Sequence, residues 1–312
     1  MSAAATPASV VNVMTVDVED YFHVSGFEPV VSREAWPTFE SRVVASTERL
    51  LALFAEHGVR ATFFVLGWVA ERHPALVARI ASAGHDLASH SYWHRLVYDL
   101  TPDEFRDDLR RAKDAIESAG GKRVLGFRAP SFSIVARSSW ALDVLVEAGY
   151  AYDASVFPVR HDRYGIPGAP RHPFRVACAG GELVEVPGTR ASVGPAPVPV
   201  GGGYFRLLPY RLTRWAIREM NSRGQPAVFY VHPWEVDPDQ PRLPAPWTSR
   251  LRHYNQLGRT MDRLSRLLRD VAFGSIESVL LPRAAELPRL PLAGLAGTVV
   301  APFTRVGVSG TR

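Results

Sequence analysis

The chain has 312 residues and a formal net charge of +5, with 46% hydrophobic and 21% charged residues. These values are typical of a soluble globular protein and exclude a wholly disordered or collagen-like chain. The basic residues are spread along the chain, which favours a solvated basic surface over a nucleic-acid site. Because Cys178 is the only cysteine, an internal disulfide and a cysteine-built zinc site are excluded. Any metal must therefore be held by histidines and carboxylates.

The alternation of apolar runs and helical patterns predicts an α/β fold. The predicted strands lie, in chain order, at residues 10–16, 61–66, 85–89, 123–127, 150–153 and 227–231. The predicted helices lie between them, at residues 39–57, 74–83, 101–118, 138–148 and 209–223. Strands that alternate with helices in this way pair in parallel through right-handed crossovers. The length also fits a single α/β barrel.

Two later parts of the chain depart from this alternation. Residues 158–204 are rich in Pro and Gly and include the run Glu182 to Val186, which we expect to form an inserted strand or hairpin over the barrel mouth. Residues 281–312 are expected to form a weakly ordered tail.

The sequence gives no sign of membrane insertion. Residues 1–16 contain no Lys or Arg and lack an apolar run long enough for a signal peptide. The apolar stretch from Leu290 to Phe303 is short and is interrupted by proline and glycine. We therefore expect no transmembrane segment and a cytoplasmic protein, or one that works next to a membrane.

Chemically reactive side chains repeatedly follow a predicted strand. They are Asp17, Glu19 and Asp20 after the first strand, His90 and His94 after the third, Arg128 after the fourth, Asp153 after the fifth and His232 after the last. In parallel α/β folds the C-terminal strand ends face the same side, so these groups should meet at one pocket. Five such strand ends are hard to explain by chance.

The segment from His90 to His94 favours a metal site when it is combined with the acidic cluster. The spacing of four residues places both imidazoles on one face of a helical turn. Alone, such a pair is more often a pair of ordinary surface or core histidines. Alternation along a strand aims Asp17 and Glu19 to the same side, so one can bind metal while the other takes a proton from water. Two histidines and one carboxylate leave coordination positions open for water and substrate.

The remaining strand-end residues suggest supporting roles, each with a structural alternative. Arg128 would hold a carboxylate base by a bidentate contact, although an isolated arginine here is more often a surface residue. Asp153 and His232 would form a pair in which the aspartate raises the pKa of the histidine, so that the histidine protonates a leaving amine. Taken singly, Asp153 is more often a turn residue and His232 a strand-end cap.

The segments TVDVED, HSYWH, FRAP, YDAS and YVHP, in this order, resemble the five motifs of the NodB-homology polysaccharide deacetylases (carbohydrate esterase family 4) over residues 10–235. The resemblance implies an α/β fold built as a distorted, incomplete (β/α) barrel of seven or eight strands with a C-terminal extension. The segments TVDVEDYFH, GGGYFRLLP and VFYVHPWE are most similar to the exosortase- or PEP-CTERM-associated exopolysaccharide deacetylases, to about residue 275. The implied organisation is an N-terminal arm (1–9), the deacetylase barrel (10–235), an extension packed on the barrel (236–280) and the tail (281–312).

The resemblance also implies roles for individual residues. It assigns Asp17 as the general base, His90 and His94 as metal ligands, Arg128 as the residue that orients the base, Asp153 as the residue that tunes the acid, and His232 as the general acid. The usual first motif has two adjacent aspartates, whereas Val18 follows Asp17 here. We choose Glu19 as the metal carboxylate because it projects on the same side as Asp17, and Asp20 stays the alternative.

The implied reaction is the removal of N-acetyl groups from aminosugars of an exopolysaccharide, with zinc or another divalent metal. The partner is thus a polysaccharide or oligosaccharide with N-acetylated aminosugars, and no nucleic acid. The predicted substrate contacts are Trp93, Pro130, Ser131 and Trp234, with a backbone N–H near Ser131 that stabilises an oxyanion. The alternatives are an amide hydrolase acting on peptidoglycan glycan or on a small cyclic amide, and a non-catalytic carbohydrate-binding relative. The oligomeric state and the natural glycan stay open.

Overall fold

The computed structural model describes residues 10–161, 163–193 and 196–296, and the predicted N-terminal arm lies outside this range. It confirms the predicted α/β class. The strands are β1 (Asn12–Val18), β2 (Thr62–Val65), β3 (Asp86–Ser89), β4 (Gly126–Phe127), β5 (Tyr152–Asp153), β6 (Phe174–Cys178), β7 (Gly181–Glu185), β8 (Arg190–Val193), β9 (Ala196–Pro199), β10 (Val228–Val231), β11 (Phe273–Gly274) and β12 (Arg289–Pro291).

Helices connect most of the parallel strands. They are α1 (Val43–Glu56), α2 (Gly67–Arg72), α3 (Pro74–Ser82), α4 (Pro102–Gly120), α5 (Ala141–Glu147), α6 (Gly202–Leu207), α7 (Tyr210–Ser222), α8 (Trp247–Tyr254), α9 (Thr260–Asp270), α10 (Ile276–Val279) and α11 (Leu292–Ala296). Among the described residues, no helix is both long and apolar enough to cross a membrane.

The main sheet has the strand order β10-β1-β2-β3-β4-β5-β7-β6-β12, with β11 also paired to β1. The seven strands from β10 to β7 are all parallel, whereas β6 and β7 form an antiparallel hairpin. In the part of the chain that the structure describes, the two edges of this sheet do not pair with each other, so the barrel is incomplete, as predicted.

A contact across the sheet shows how strongly it curls. Strands β1 and β4 are separated by two other strands, so a flat sheet would hold them about 14 Å apart. Nevertheless, Nη1 of Arg128, directly after β4, lies 2.6 Å from Oδ1 of Asp17 in β1. The sheet therefore bends toward the face that carries these two side chains, as the wall of a barrel does.

Alternation along the strands divides the apolar residues between two packing layers. One residue set faces the barrel interior, for example Val13, Phe64, Ala88 and Tyr152, and packs with Ile276 of α10. The residues between them, such as Met14, Phe63 and Leu87, belong to the larger cluster on the other face of the sheet. Each strand is thus buried on both faces, which explains its continuous apolar sequence.

Two predictions about the second half of the chain are corrected. The run from Glu182 to Val186 does not lie over the barrel mouth, because β7 continues the main sheet beside β5. The predicted tail is built into the fold at its start, where β12 pairs with β6. Residues 297–312 lie outside the described residues.

Candidate active site

The C-terminal ends of the strands deliver the predicted reactive side chains to one pocket. Asp17, His90 and His232 line a cavity of about 440 Å³, together with Glu19 and His94. Backbone hydrogen bonds between neighbouring strands place these residues at the same end of the sheet. For example, the amide of His90 donates to the carbonyl oxygen of Val65 at the end of β2. The predicted convergence therefore exists in the folded chain for these strand ends, but not for Asp153, which does not line the cavity.

Glu19, His90 and His94 form a group that can hold a metal ion. One ligand atom from each residue lies within 4.8 Å of the others, and all three residues are buried. Nδ1 of His90 pairs with the carbonyl oxygen of Arg128 at 2.8 Å, which leaves Nε2 to face the group. Burial lowers the pKa of His90 to about 4, so the imidazole is neutral and able to ligate at pH 7.

The contact between Glu19 and His94 also fits a shared ion. Oε2 of Glu19 lies 2.7 Å from Nε2 of His94, yet this oxygen has no aligned hydrogen bond. Burial raises the pKa of Glu19, but the electrostatic and hydrogen-bond contact with His94, with His232 and His90 nearby, brings it well below its ordinary value. The other carboxylate oxygen accepts a hydrogen bond from Nε1 of Trp234 at 3.1 Å. Two imidazoles and an ionised carboxylate are donors that suit zinc and related divalent ions.

The segment from His90 to His94 is not the predicted helical turn. Ser91 and His94 have positive φ values of 63° and 51°, an uncommon conformation for residues other than glycine. The carboxylate of Asp108 in α4 accepts from the amides of Tyr92 at 2.8 Å and Trp93 at 3.1 Å. The buried aspartate therefore replaces the hydrogen bonds of a helix and holds both imidazoles toward Glu19.

Arg128 holds Asp17, though not in the predicted bidentate way. One nitrogen, Nη1, donates both to Oδ1 of Asp17 at 2.6 Å and to Oγ1 of Thr15 at 2.8 Å. Nε donates to the carbonyl oxygen of Ala154 at 3.2 Å. Both charged side chains are almost fully buried, so the contact fixes Asp17 as an oriented carboxylate at the pocket floor.

His232 is held by a carboxylate that the sequence analysis did not select. Nδ1 of His232 lies 3.1 Å from Oε2 of Glu235, which also accepts from the backbone amide of His232. Nε2 faces the pocket, 3.8 Å from Asp17 and 3.9 Å from Glu19. Burial lowers the pKa of His232, but Glu235, Glu19 and Asp17 outweigh it and raise the pKa to about 9. At neutral pH this imidazole is therefore protonated.

The predicted pair of Asp153 and His232 is not formed. Tyr152 and Ala154 face the barrel interior, so Asp153 between them points to the opposite face of the sheet. There it accepts from Ser155, and its register partner is Glu185. Burial raises the pKa of both carboxyls; the charge of Asp153 raises the pKa of Glu185 further, whereas the hydrogen bond with Glu185 lowers that of Asp153. Within the described chain, the carboxylates within 4.0 Å of His232 are Glu235, Asp17 and Glu19.

Asp20, the alternative metal carboxylate, has a structural task instead. Its oxygens accept from the hydroxyl of Ser41 and from the backbone amides of Arg42 and Val43. Those amides lie at the start of α1, where a carboxylate satisfies donors that the helix leaves unpaired. Glu19 is therefore the carboxylate of the opening loop that reaches both histidines.

The predicted substrate residues separate into two groups. Ser131 and Trp234 line the cavity, and Ser131 adopts a positive φ of 51°. Trp234 is buried and stacks between His232 and His253 at 4.9 Å and 4.1 Å, so it positions site residues rather than offering an open face. Pro130 is buried at the start of a short 3-10 turn. Trp93 does not line this cavity and instead packs on Trp36.

Four supporting residues were missed by the sequence analysis. They are Thr15, Asp108, Arg206 and Glu235. Only Glu235 carries a sequence signal, since a glutamate three residues after His232 has the spacing of a helix capping box. Arg206 pairs with Glu235 at 2.7 Å and donates to the carbonyl oxygens of His253 and Asn255 at the end of α8. It thereby ties the C-terminal extension to the partner of His232.

Comparisons with known proteins divide the chain into two parts. Residues 28–152 match the polysaccharide deacetylase family, and residues 154–281 match a family described as a domain of unknown function, DUF3473. The chain is 32% identical over 98 residues to a peptidoglycan-N-acetylglucosamine deacetylase of Bacillus cereus, which covers 31% of this chain and 36% of that protein. It is 38% identical over 73 residues to a chitooligosaccharide deacetylase of Rhizobium leguminosarum bv. trifolii, covering 23% and 34%.

These curated relatives match over about a third of their own length. A solved structure of a presumed polysaccharide deacetylase from Mycobacterium smegmatis is similar over 91% of this chain and 97% of that chain, with a TM-score of 0.57 and 22% identity. At this identity the likeness shows the fold alone.

Proposed function

Because residues 28–152 match the polysaccharide deacetylase family, we propose that the protein is a metal-dependent hydrolase that removes N-acetyl groups from the aminosugars of an exopolysaccharide. The family match and the relatives support a deacetylase of N-acetylated sugar polymers or oligosaccharides. The observation that carries the proposal is the meeting of Glu19, His90 and His94 with Asp17 and His232 in one pocket. A binding protein would need neither the oriented base nor the charged acid.

Glu19, His90 and His94 would hold the divalent ion. Such an ion, when bound, polarises the acetyl carbonyl and lowers the pKa of water. The lowered pKa values of His90 and Glu19 keep the imidazole neutral and the carboxylate ionised, which are the forms that bind a metal ion.

Asp17 would act as the general base. Its carboxylate faces the pocket, and Arg128 fixes one oxygen while the other lies toward His232. A carboxylate held in one orientation can accept a proton from the attacking water without first reorganising.

His232 would act as the general acid. The amine that leaves an amide needs a proton, and Nε2 of His232 carries one at neutral pH and faces the pocket. Glu235 holds the opposite ring nitrogen, which fixes the direction in which the proton is delivered.

The test is acetate release from N-acetylglucosamine oligomers by the purified chain, before and after metal removal and zinc addition. We expect activity only with metal, and His90→Ala should lose both bound metal and activity. His57→Ala is the matched control, because His57 contacts Ser265 away from the pocket. Full metal content and activity in His90→Ala would contradict the proposal. Hydrolysis of ureides or imides without acetate release would favour the amide hydrolase, and glycan binding without any hydrolysis would favour the non-catalytic relative.

Several finer assignments stay predictions beside this proposal. They are the exosortase-associated branch, the division at residues 10–235 and 236–280, zinc as the metal and a cytoplasmic location. The segment GGGYFRLLP, on whose sequence the branch assignment rests, contains Arg206, which connects the extension to the site.

A further inference from the structure

The wall of the pocket carries two arginines that the proposed reaction does not use. Arg163 follows β5, and Arg252 lies in α8. Both are exposed, and both line the same cavity as Asp17 and Glu19. They come from residues 154–281, the part that matches the domain of unknown function.

Within the part of the chain that the structure describes, neither arginine pairs with an acid of the protein. Asp17 already pairs with Arg128 at 2.6 Å, and Glu19 contacts His94 at 2.7 Å. Most other arginines near the site are engaged by carboxylates, as Arg33 is by Glu28. Among the described residues, no carboxylate lies within 4.0 Å of the guanidinium of Arg163 or Arg252.

Beyond the cavity, around Tyr98, charges of both signs are present. Arg137 lies over the ring of Tyr98 at 4.4 Å. Burial raises the pKa of the same phenol, and the charges of Asp99 and Glu28 raise it further, whereas the charges of Arg163 and Arg137 act in the opposite direction. The positive charge at the cavity itself therefore comes from Arg163 and Arg252, and positive charge around a cleft concentrates anionic ligands.

We propose that Arg163 and Arg252 bind an anionic substituent on the glycan, on a sugar next to the one that is deacetylated. A neutral N-acetylated chain offers these two guanidinium groups only uncharged hydroxyl and amide oxygens, whereas carboxylates and phosphates add the opposite charge and match the planar donors. The inference rests on the proposed function, and it narrows the substrate class to an acidic aminosugar polymer.

The experiment compares two glycans that differ only in charge. Heparosan oligosaccharides alternate N-acetylglucosamine with glucuronate, and reduction of their carboxyl groups gives a neutral twin with the same linkages. Acetate release and direct binding are measured for both, with the full chain, at low and at physiological salt. We expect kcat/KM and affinity about tenfold higher for the charged glycan, with a preference that weakens as salt increases.

Substitution then assigns the preference to the two arginines. In Arg163→Gln/Arg252→Gln the ratio of kcat/KM between the twins should fall toward one, mainly through KM for the charged glycan. Arg218→Gln is the matched control, since Arg218 is an exposed arginine of α7 that does not line the pocket. A third substrate, poly(N-acetylglucosamine 1-phosphate), distinguishes phosphate from carboxylate as the preferred anion.

The outcomes separate the two proposals. Two results would overturn the anionic subsite. One is equal kcat/KM and affinity for the two heparosan glycans together with no binding of the phosphate polymer, and the other is a preference for the charged glycan that survives in the double variant. If both twins release acetate equally, the deacetylase proposal stands alone. If neither releases acetate while the charged twin binds through the two arginines, the subsite stands and the proposed reaction fails for these glycans.

Discussion

The two matched regions of the chain contribute different parts of the candidate active site. Residues 28–152 contain His90, His94 and Arg128, whereas residues 154–281 contain His232 and Glu235. Strand β1 lies before both regions and brings Asp17 and Glu19. Neither region therefore holds the ligands, the base and the acid together.

The fold explains why the second region cannot be a separate appendage. Its strand β10 pairs with β1 on one side, and its strand β7 pairs with β5 on the other. The part described as a domain of unknown function thus contributes strands on both sides of the first region to the wall of the incomplete barrel. It supplies the proton donor of the proposed reaction and the two arginines that line the pocket.

The two regions also position their site residues by different kinds of interaction. In the first, backbone amides and carbonyls position the histidines, through Asp108 and the carbonyl of Arg128. In the second, a buried chain of charges runs from Arg206 through Glu235 to His232. We expect substitutions in the first region, or in β1, to act on metal and rate, and those in the second to act on stability and pH dependence.

The largest expected effect is that of Asp17→Asn. An amide cannot accept the proton of water, so kcat should fall by roughly two to four orders of magnitude while Glu19, His90 and His94 keep the metal. Acetate release and metal content are measured together. Asp20→Asn is the matched control. It weakens the hydrogen bonds at the start of α1, so the stability should fall while kcat of the folded protein stays at the wild-type value. An Asp17→Asn protein with a tenth of the wild-type rate would exclude Asp17 as the base.

Arg206→Met should give the largest loss of stability. It leaves the buried carboxylate of Glu235 without its guanidinium, and removing one partner of a buried pair costs about 3–5 kcal/mol. Urea unfolding measures the difference. Arg214→Met removes a partly exposed pair with Asp270 and should cost less than about 1 kcal/mol. Equal losses in the two variants would contradict the buried clamp between α6, α8 and Glu235.

Asp108→Ala should weaken metal binding without touching a ligand. The amides of Tyr92 and Trp93 lose their acceptor, and the positive φ values of Ser91 and His94 lose their support. Loss of such supporting contacts typically costs roughly 10–100-fold in metal affinity. Competition with a chelating dye measures the zinc Kd. Asp107→Ala, an exposed neighbour on α4, should leave that Kd unchanged.

Much of this site could be predicted from the sequence, because strand ends in parallel folds share one rim. That rule places Asp17, His90, Arg128 and His232 together without any knowledge of their contacts. The buried strands and the start of α4, with its capping box at Thr101 and Glu104, follow from equally local signals.

The sequence-based predictions are wrong where a contact between distant parts of the chain overrides a local pattern. The spacing of His90 and His94 indicates a helical turn, but Asp108, from another helix, takes the amide protons. The alternation in β5 places Asp153 on the face opposite to Tyr152, away from His232, so the expected acid pair does not form. Glu182 to Val186 has no local signal that distinguishes an added strand of the main sheet from a separate hairpin.

The smallest expected effect is that of Glu235→Gln on the pH profile. This variant tests whether Glu235 or Asp153 is the carboxylate that raises the pKa of His232. His232 donates a proton only in its charged form, so activity falls as the pH rises through its pKa of about 9. Removing the charge of Glu235 lowers that pKa, so the alkaline fall of kcat/KM should move to lower pH by about one unit. Asp153→Asn, the matched control, lies on the other face of the sheet and should leave this limb in place. The opposite pattern would be a shift with Asp153→Asn and none with Glu235→Gln. It would show that Asp153, as expected from the sequence, and not Glu235 raises the pKa of His232.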